Sequence, residues 1–479
     1  MSELPQSWSL VQLGDLLNRI VGGGTPPKAV ASYFDGPIPF MTVKDMNAAR
    51  PSRTIDNISV EALAASSAKL IEKDTIVVAT RMGLGKVVRP TVDVAINQDL
   101  KALFVNEAIE RDFLEWWLRF SAKLIEQKGT GTTVKGITLD TLCSFEVPTP
   151  PLPEQRRIVA KMQSITAKSR RARDQLDHIP LLVDKYKQAV LAAAFRGDLT
   201  REWDDDSVTN EDHDAARMTL CAELKCRPWK VNKTQPEVRN APARWRRCYV
   251  GQLVAHRSGI AFESKDFSAS GTQVVRLGNL YQARLDLTRQ PVFLANKEKY
   301  APFSAKAGDI LVSQTGTKYK RDYGHFVIVP EDTRLLVNQR VACLTPTKHL
   351  NAAFLLFFSQ MNEFRDYFFS HETGGVSQGN VGLAGIMDAP LALPSRAEQD
   401  EIVCRIKLAY TAIDRLASEA TSARRLNDRL YQTVLAKAFR GELVPQNPED
   451  EPASVLLDRI RAERGAAPKA MRGRKAKAA

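Results

Sequence analysis

Val190-Leu191-Ala192-Ala193-Ala194-Phe195-Arg196-Gly197-Asp198-Leu199 recurs 244 residues later as Val434-Leu435-Ala436-Lys437-Ala438-Phe439-Arg440-Gly441-Glu442-Leu443. At the same offset Glu154-Gln155-x-x-Ile158-Val159 recurs as Glu398-Gln399-x-x-Ile402-Val403. From Glu154 to Leu199 the copies align without a gap, and 16 of 46 positions are identical. A duplication of this kind decides the architecture before any other signal. Its two end motifs sit at a fixed spacing, which argues that length itself is used, as in a ruler.

Each copy reads as one long helix. In the second, Ile402, Ile406, Ala409, Ile413, Leu416, Ala420, Ala423, Asn427, Leu430 and Val434 step alternately by four and three. That is the period of a coiled-coil seam, with Asn427 as the polar member that sets register. The same register in the first copy gives Ile158, Met162, Ile165, Ser169, Ala172, Leu176, Ile179, Val183, Tyr186 and Val190, a thinner seam. Pro180 is expected to break or kink this helix. Gly197 and Gly441 stand where helix C-caps belong. About 40 residues at ~1.5 Å each would give a rod of roughly 60 Å.

The segments before the two helices match more faintly. Trp8 with Leu13-Gly14-Asp15-Leu16 parallels Trp245 with Val250-Gly251-Gln252-Leu253. Lys73 to Val78 parallels Ala307 to Val312, a turn into a β-branched strand, and Asn97-Gln98 parallels Asn338-Gln339. Helices Phe113 to Lys123 and Ala353 to Phe369, Gly/Thr-rich loops 129–136 and 373–379, and Pro-rich exits 147–153 and 390–394 follow in the same order. The predicted fold class is α+β: two globular heads separated by an antiparallel two-helix coiled coil, with an internal pseudo-two-fold repeat. The expected boundaries are a first head at 1–150, its helix at 151–200 and a polar connector at 201–241. A second head at 242–392, its helix at 393–445 and a C-terminal region at 446–479 complete the chain.

With 479 residues, 44% hydrophobic and 26% charged, the chain is expected to be a soluble protein of about two to four domains. Met1 to Leu10 does not read as a secretory signal, and no run approaches a membrane span, so a cytoplasmic location is expected. Residues 242–392 hold 18 Lys+Arg against 12 Asp+Glu, and residues 464–479 hold six against none. These two segments supply nearly all of the net charge of +13. Such a distribution supports binding to nucleic acid, while the tail alone reads as a solvated end rather than as a phosphate-attracting arm.

Catalytic signatures are missing. There is no phosphate-binding Gly-x-x-x-x-Gly-Lys-Ser/Thr loop. Gly22-Gly23-Gly24 runs into Thr25-Pro26-Pro27, where prolines stop the helix that a dinucleotide needs. No Asn-Pro-Pro-aromatic motif of the amino-methyltransferases is present, and Glu263-Ser264-Lys265 is only a loose nuclease-like triplet. The six cysteines lack a C-x-x-C pair, and Cys221 and Cys226 near His213 make a weak zinc spacing; no metal is expected.

Pro151-Leu152-Pro153-Glu154-Gln155-Arg156-Arg157-Ile158-Val159, its partner from Glu398 to Val403, and the paired Phe-Arg-Gly-Asp/Glu-Leu helix ends together resemble the DNA-specificity subunits of Type I restriction–modification systems. The resemblance spans nearly the whole chain, with departures at Ala397, where the first copy has Pro153, and at Pro180. It implies two target-recognition heads at opposite ends of an antiparallel helical pair. Each head would read one half of an asymmetric, bipartite double-stranded target, with half-sites about one turn (~34–36 Å) apart. It implies no catalysis and no cofactor in this chain. Partners would be methyltransferase subunits, two by the pseudo-symmetry, which use S-adenosylmethionine and flip the target adenine. ATP- and Mg-dependent translocase/nuclease subunits, also two, would complete the assembly. A stand-alone DNA-binding scaffold and a nuclease with duplicated domains are the alternative readings.

DNA-contacting candidates are chosen by side-chain chemistry in the loops, because cations hold phosphates while amides and hydroxyls read base edges. In the first head they are Lys44, Asn47, Arg81, Lys86, Thr132 and Lys135. In the second they are Arg276, Asn279, Gln314, Lys318, Lys320, Arg321, Ser377 and Gln378. Thr317 to Arg321, with three cations around Tyr319, is the strongest patch. Glu154, Gln155, Glu398 and Gln399 read either as N-terminal helix caps or as partner contacts.

Overall fold

The run Ile76-Val77-Val78-Ala79 is buried along its whole length, the mark of an inner strand covered on both faces. In the computed structural model, which describes residues 4–131, 134–203, 212–231, 236–295 and 298–466, it lies inside a four-stranded sheet. The order is Leu17–Gly22, Leu100–Val105, Ile76–Ala79, Val87–Val88. Ile76 and Val78 point into the core shared with helix Arg111–Phe120, while Val77 and Ala79 face a second core with Met41 and Ile96. A second sheet runs Asp56–Ile58, Ile38–Met41, Val94–Ile96, Lys69–Ile71, with a parallel pairing of Met41 and Ile96 at its centre. Strands Ser9–Gln12 and Glu146–Thr149 pair antiparallel, Ser9 opposite Thr149, and so clasp the two ends of the first head.

The second head repeats this plan. Its four-stranded sheet is Val254–Ser258, Val341–Pro346, Ile310–Ser313, Phe326–Ile328. Its second sheet again has a parallel pair at its centre, Thr272–Val275 with Leu335–Val337. Arg246–Tyr249 and Pro390–Leu393 form the clasp. One addition is a three-stranded sheet, Thr315–Thr317, Gln378–Val381, Glu372–Thr373, where the described residues of the first head show isolated bridges between Gly136 and residues Arg81 and Thr130.

The chain forms two compact units, Met1–Asp177 with Thr421–Ala479, and His178–Ala420. Each unit therefore holds one head, the helix beside it and half of the long helix Arg396–Phe439. The first copy of the repeat is two helices, Leu152–Asp177 and Ile179–Phe195, with Pro180 in the first turn of the latter. Proline is tolerated there because its missing N–H would have had no helical partner. Within the first unit, helix Leu152–Asp177 runs antiparallel to residues 421–439. Asn427 donates to the Ser169 carbonyl at 3.2 Å, and Arg173 and Arg424 pair with Asp428 and Asp177. Within the second, Lys187 pairs with Asp414 at 2.6 Å, and Ile402 and Ile406 share a core with Leu191 and Phe195.

The seam differs from the one expected. Ile406, Ile413, Ala420, Asn427 and Val434 do face inward, but Leu416 and Leu430 are exposed, 63% and 53%. The alternate seam places go instead to Tyr410, Ala417 and Tyr431, one residue further on. Tyr186 is likewise 61% exposed, with Lys187 turned inward. The reason is that this stripe must serve a head as well as a helix. Tyr431 stacks edge-on against Trp116, and Tyr410 against Phe357, with ring centroids 6.2 and 5.7 Å apart.

The repeated glutamates stand in the first turns of their helices as expected, but the Glu-Gln pairs are not partner contacts, for all four side chains are at most 1% exposed. Glu154 accepts from the Trp8 indole at 3.1 Å, and Glu398 from Trp245 at 2.9 Å. Gln155 accepts from the Glu110 amide (2.9 Å) and donates to the Pro150 carbonyl; Gln399 accepts from the Asn351 amide (2.8 Å) and donates to Pro394. Each pair thus stitches helix to head. The repeated glycines close the same joints. Gly441 has φ +76° and a Cβ there would sit 2.4 Å from Pro5, beside Trp8; Gly197 has φ +74° and meets Pro242 beside Trp245 in the same way. Only glycine fits both the left-handed backbone and the approach.

Candidate nucleic-acid interface

Five described candidates of the first head gather around the loop 80–86. Lys86 reaches the Asn47 side-chain oxygen at 3.5 Å, and Asn47 donates to the Lys44 carbonyl at 2.8 Å. On its other side the loop is bonded to the Gly/Thr-rich segment. The Met82 amide donates to the Lys135 carbonyl at 3.4 Å, and Arg81 bridges Gly136. Lys44, Asn47, Arg81 and Lys135 are exposed and Lys86 is half-buried. Thr132 lies outside the described residues. Arg81 is 3.7 Å from Asp99, so this cation is partly neutralised. Other arginines of the head are turned to its own acids, since Arg50, Arg89 and Arg119 all converge on the buried Glu115.

In the second head the patch 317–321 is built by its added sheet. Thr317 pairs with Gln378, and the Lys318 amide donates to the Ser377 carbonyl at 3.3 Å. Lys318, Lys320, Arg321, Ser377 and Gln378 are thereby brought together. Asp322 braces the turn by accepting from the Thr317 amide at 2.7 Å. Burial would raise the Asp322 pKa, but the Thr317 hydrogen bonds and nearby Lys320 outweigh it and hold the carboxyl below its usual range. Tyr319 is 81% exposed with φ +69°, a conformation bulky residues rarely adopt. Arg321 is partly engaged by Asp366 at 2.9 Å.

Gln314 sits at the root of this sheet, its side chain donating to Val381 at 3.3 Å. Arg276 lies on a separate turn, with its guanidinium on the Gln290 carbonyl. Asn279 corrects the expectation. It is 2% exposed, its oxygen accepts from the Arg276 amide and its amide donates to Asp286 and Arg289. A turn has consumed every donor that a base would need, so Asn279 shapes the loop from beneath.

Sequence reasoning passed over Gln339 and Arg340, which are exposed beside these loops. Their signal was the repeat itself, since Asn97-Gln98-Asp99 and Asn338-Gln339-Arg340 occupy matching turns. The Thr80 amide donates to the Asp99 carbonyl at 2.8 Å, and the Gln314 amide to the Arg340 carbonyl at 3.1 Å. The preceding Gly23 and Gly259 press equally closely on Ile96-Asn97 and Val337-Asn338. The triple glycine at 22–24 is therefore a close-packed backbone crossing.

Among the described residues no group of three or more His, Cys, Asp or Glu side chains is placed to hold a metal ion. Cys221 is pushed up to about 11 by burial and by the adjacent Cys226, which keeps it a neutral thiol. No described helix is long and apolar enough to cross a membrane.

The family model described as "Type I restriction modification DNA specificity domain" matches twice, over residues 5–179 and 242–417. The chain belongs to this family. It is a DNA-specificity subunit of a Type I restriction–modification system with two target-recognition domains, the non-catalytic kind of subunit in such systems. The stand-alone nuclease and scaffold readings are thereby set aside. The subunit is 25% identical to the Type I restriction enzyme EcoDI specificity subunit of Escherichia coli over 97% of each chain. It is 26% identical to the EcoBI specificity subunit of the same organism, over 71% of this chain and 69% of that one. Its fold is similar to the crystal structure of the HsdS subunit from Thermoanaerobacter tengcongensis, with TM-score 0.58 at 18% identity, covering 92% of this chain and 98% of that one.

Proposed function

We propose that each head of this specificity subunit reads one half of an asymmetric, bipartite duplex target, with the long helices as spacer. The observation behind this reading is the convergence, in each head separately, of cations and base-reading side chains on adjoining loops. In the first head these are Lys44, Asn47, Arg81, Lys86 and Lys135. In the second they are Lys318, Lys320, Arg321, Ser377 and Gln378 around exposed Tyr319, with Gln314 at the root of the same sheet and Arg276 on a neighbouring turn. Lysines and arginines would hold phosphates, and amides and hydroxyls would read base edges. The working domain limits are 1–150 and 242–392 for the heads, 151–200 and 393–445 for the helices, with 201–241 as connector and 446–479 as C-terminal region.

The same helices would dock methyltransferase subunits. Leu182 and Tyr186 form an exposed apolar pair at i, i+4, and Leu426 and Leu430 form another at equivalent positions of the second copy. An apolar pair repeated at equivalent positions suits two copies of one partner. Two translocase/nuclease subunits would complete a cytoplasmic assembly in which S-adenosylmethionine, ATP and Mg belong to the partners.

Co-expression with its methyltransferase in a methylation-free host, followed by single-molecule mapping of modified adenines, tests the reading. The expected result is a split motif that changes on one side when residues 242–392 are exchanged for another head. A stable complex that leaves DNA unmodified would refute it.

A further inference from the structure

Two open clefts in the second head meet at one side chain. One, of about 410 Å³, is lined by Gln314, Gln339, Gln378 and Asn380; the other, of about 260 Å³, by Arg276, Arg289 and Asn338. Arg340 lines both. Its carbonyl is pinned by the Gln314 amide at 3.1 Å while its side chain is exposed. Among the described residues no carboxylate lies within ion-pair distance of its guanidinium, in contrast to Arg321 with Asp366 and Arg257 with Asp309. The backbone is thus fixed and the donor fork is free.

The matching turn of the first head holds the opposite chemistry. Asp99 is 7% exposed, accepts from the Asn97 amide group at 3.0 Å and lies 3.7 Å from Arg81. One turn, bonded identically to the neighbouring strand, presents a buried acceptor in one head and a free donor fork in the other. A cation ringed by amide side chains is the composition of a base-reading surface, because guanidinium donates two parallel hydrogen bonds to guanine O6 and N7. A phosphate would use the same fork but would have no need of the surrounding amides, which are the groups that read base edges.

We propose that Arg340 is a specificity-determining residue of the second head, reading a guanine within that head's half-site. This rests on the two-headed reading given above. The test maps methylation motifs for the wild-type chain and for Arg340→Ala and Arg340→Lys, each in complex with the methyltransferase. In Arg340→Ala one guanine position in the half-site assigned to residues 242–392 is expected to become degenerate, with about 10- to 100-fold loss of discrimination there. The other half-site should keep its sequence. Arg340→Lys keeps the charge without the fork, so it should relax the same position while retaining overall binding. An unchanged motif in Arg340→Ala, or full restoration by lysine, would overturn the assignment and leave Arg340 a phosphate or solvent-facing residue. A wild-type complex that modifies no split motif would instead refute the two-headed reading itself, and this assignment with it.

Discussion

Trp8 and Trp245 make the same bond to Glu154 and Glu398, within 0.2 Å (3.1 and 2.9 Å), while Asp99 and Arg340, on matching turns, have opposite charge and opposite exposure. The two heads are alike where they join the helices and unlike where they face out. The difference has a physical reason. The joints are buried, so each polar atom there needs a fitted partner, and substitution leaves an unpaired group. The outward loops are solvated, and their side chains change at little cost in stability.

The joints differ in one respect. Glu398 also accepts from Arg244 at 2.7 Å and from Thr200, whereas Glu154 has the neutral Gln446 at 2.6 Å. Burial raises the Glu154 pKa above its ordinary 4.5, against the pull of Gln446 and Trp8.

The largest effect is expected at the joint tryptophans. Trp245→Ala should cost about 3–5 kcal/mol through the cavity and the lost indole hydrogen bond to Glu398. Hydrogen exchange should then speed up in 178–420 and stay unchanged in 4–131; an equal change in both would contradict separate units. Next come the carboxylates. Glu398→Gln strands the Arg244 charge and is expected to cost ~3 kcal/mol, the lower end for a broken buried ion pair. Glu154→Gln replaces a group without a cationic partner of that kind and should stay within about 1 kcal/mol near neutral pH. Its pH dependence has a definite sign. With a folded pKa raised above 4.5, Glu154 gives its full stabilisation below that value and loses it as pH rises through the folded value. Urea midpoints should therefore move in favour of Glu154→Gln between acidic and neutral pH.

Gly441→Ala should cost about 1–3 kcal/mol from its backbone conformation and the Pro5 clash, and Gly197→Ala the same, each melting its own unit. Smallest in stability, within about 0.5 kcal/mol, are Lys318→Ala and Lys320→Ala. These should show instead in DNA binding, where each lost phosphate contact lowers the slope of log affinity against log salt by about one. An unaltered slope would remove that lysine from the interface.

Much of this was legible in the residues, because repetition can be read without knowing geometry. The helix ends, the matching succession of segments in the two halves and the break at Pro180 all followed from pattern. The seam register did not, since apolar residues stand at both 409 and 410 and at both 430 and 431, and the choice was made by Trp116 and Phe357 from distant sequence. Asn279 misled for a related reason: an amide that can read adenine can equally tie a turn. Arg340 stood next to a repeated pair, Asn97-Gln98 against Asn338-Gln339, but a match between turns does not say that the side chain after it is exposed.

One further consequence concerns synthesis. Unit 178–420 is a single continuous stretch, complete once it has left the ribosome. The head made first must wait, since its joint needs Gly441 against Pro5, Gln446 on Glu154, Asp450 on Arg157 at 2.6 Å, and Leu456, Leu457 and Ile460 in its core. At about 5–20 residues per second, the nearly 300 residues between Asp177 and those side chains take roughly 15–60 s to translate. For that interval the nascent chain carries Trp8 and Glu154 without their closing partners, so a chaperone should find the older head, and not the younger one, open.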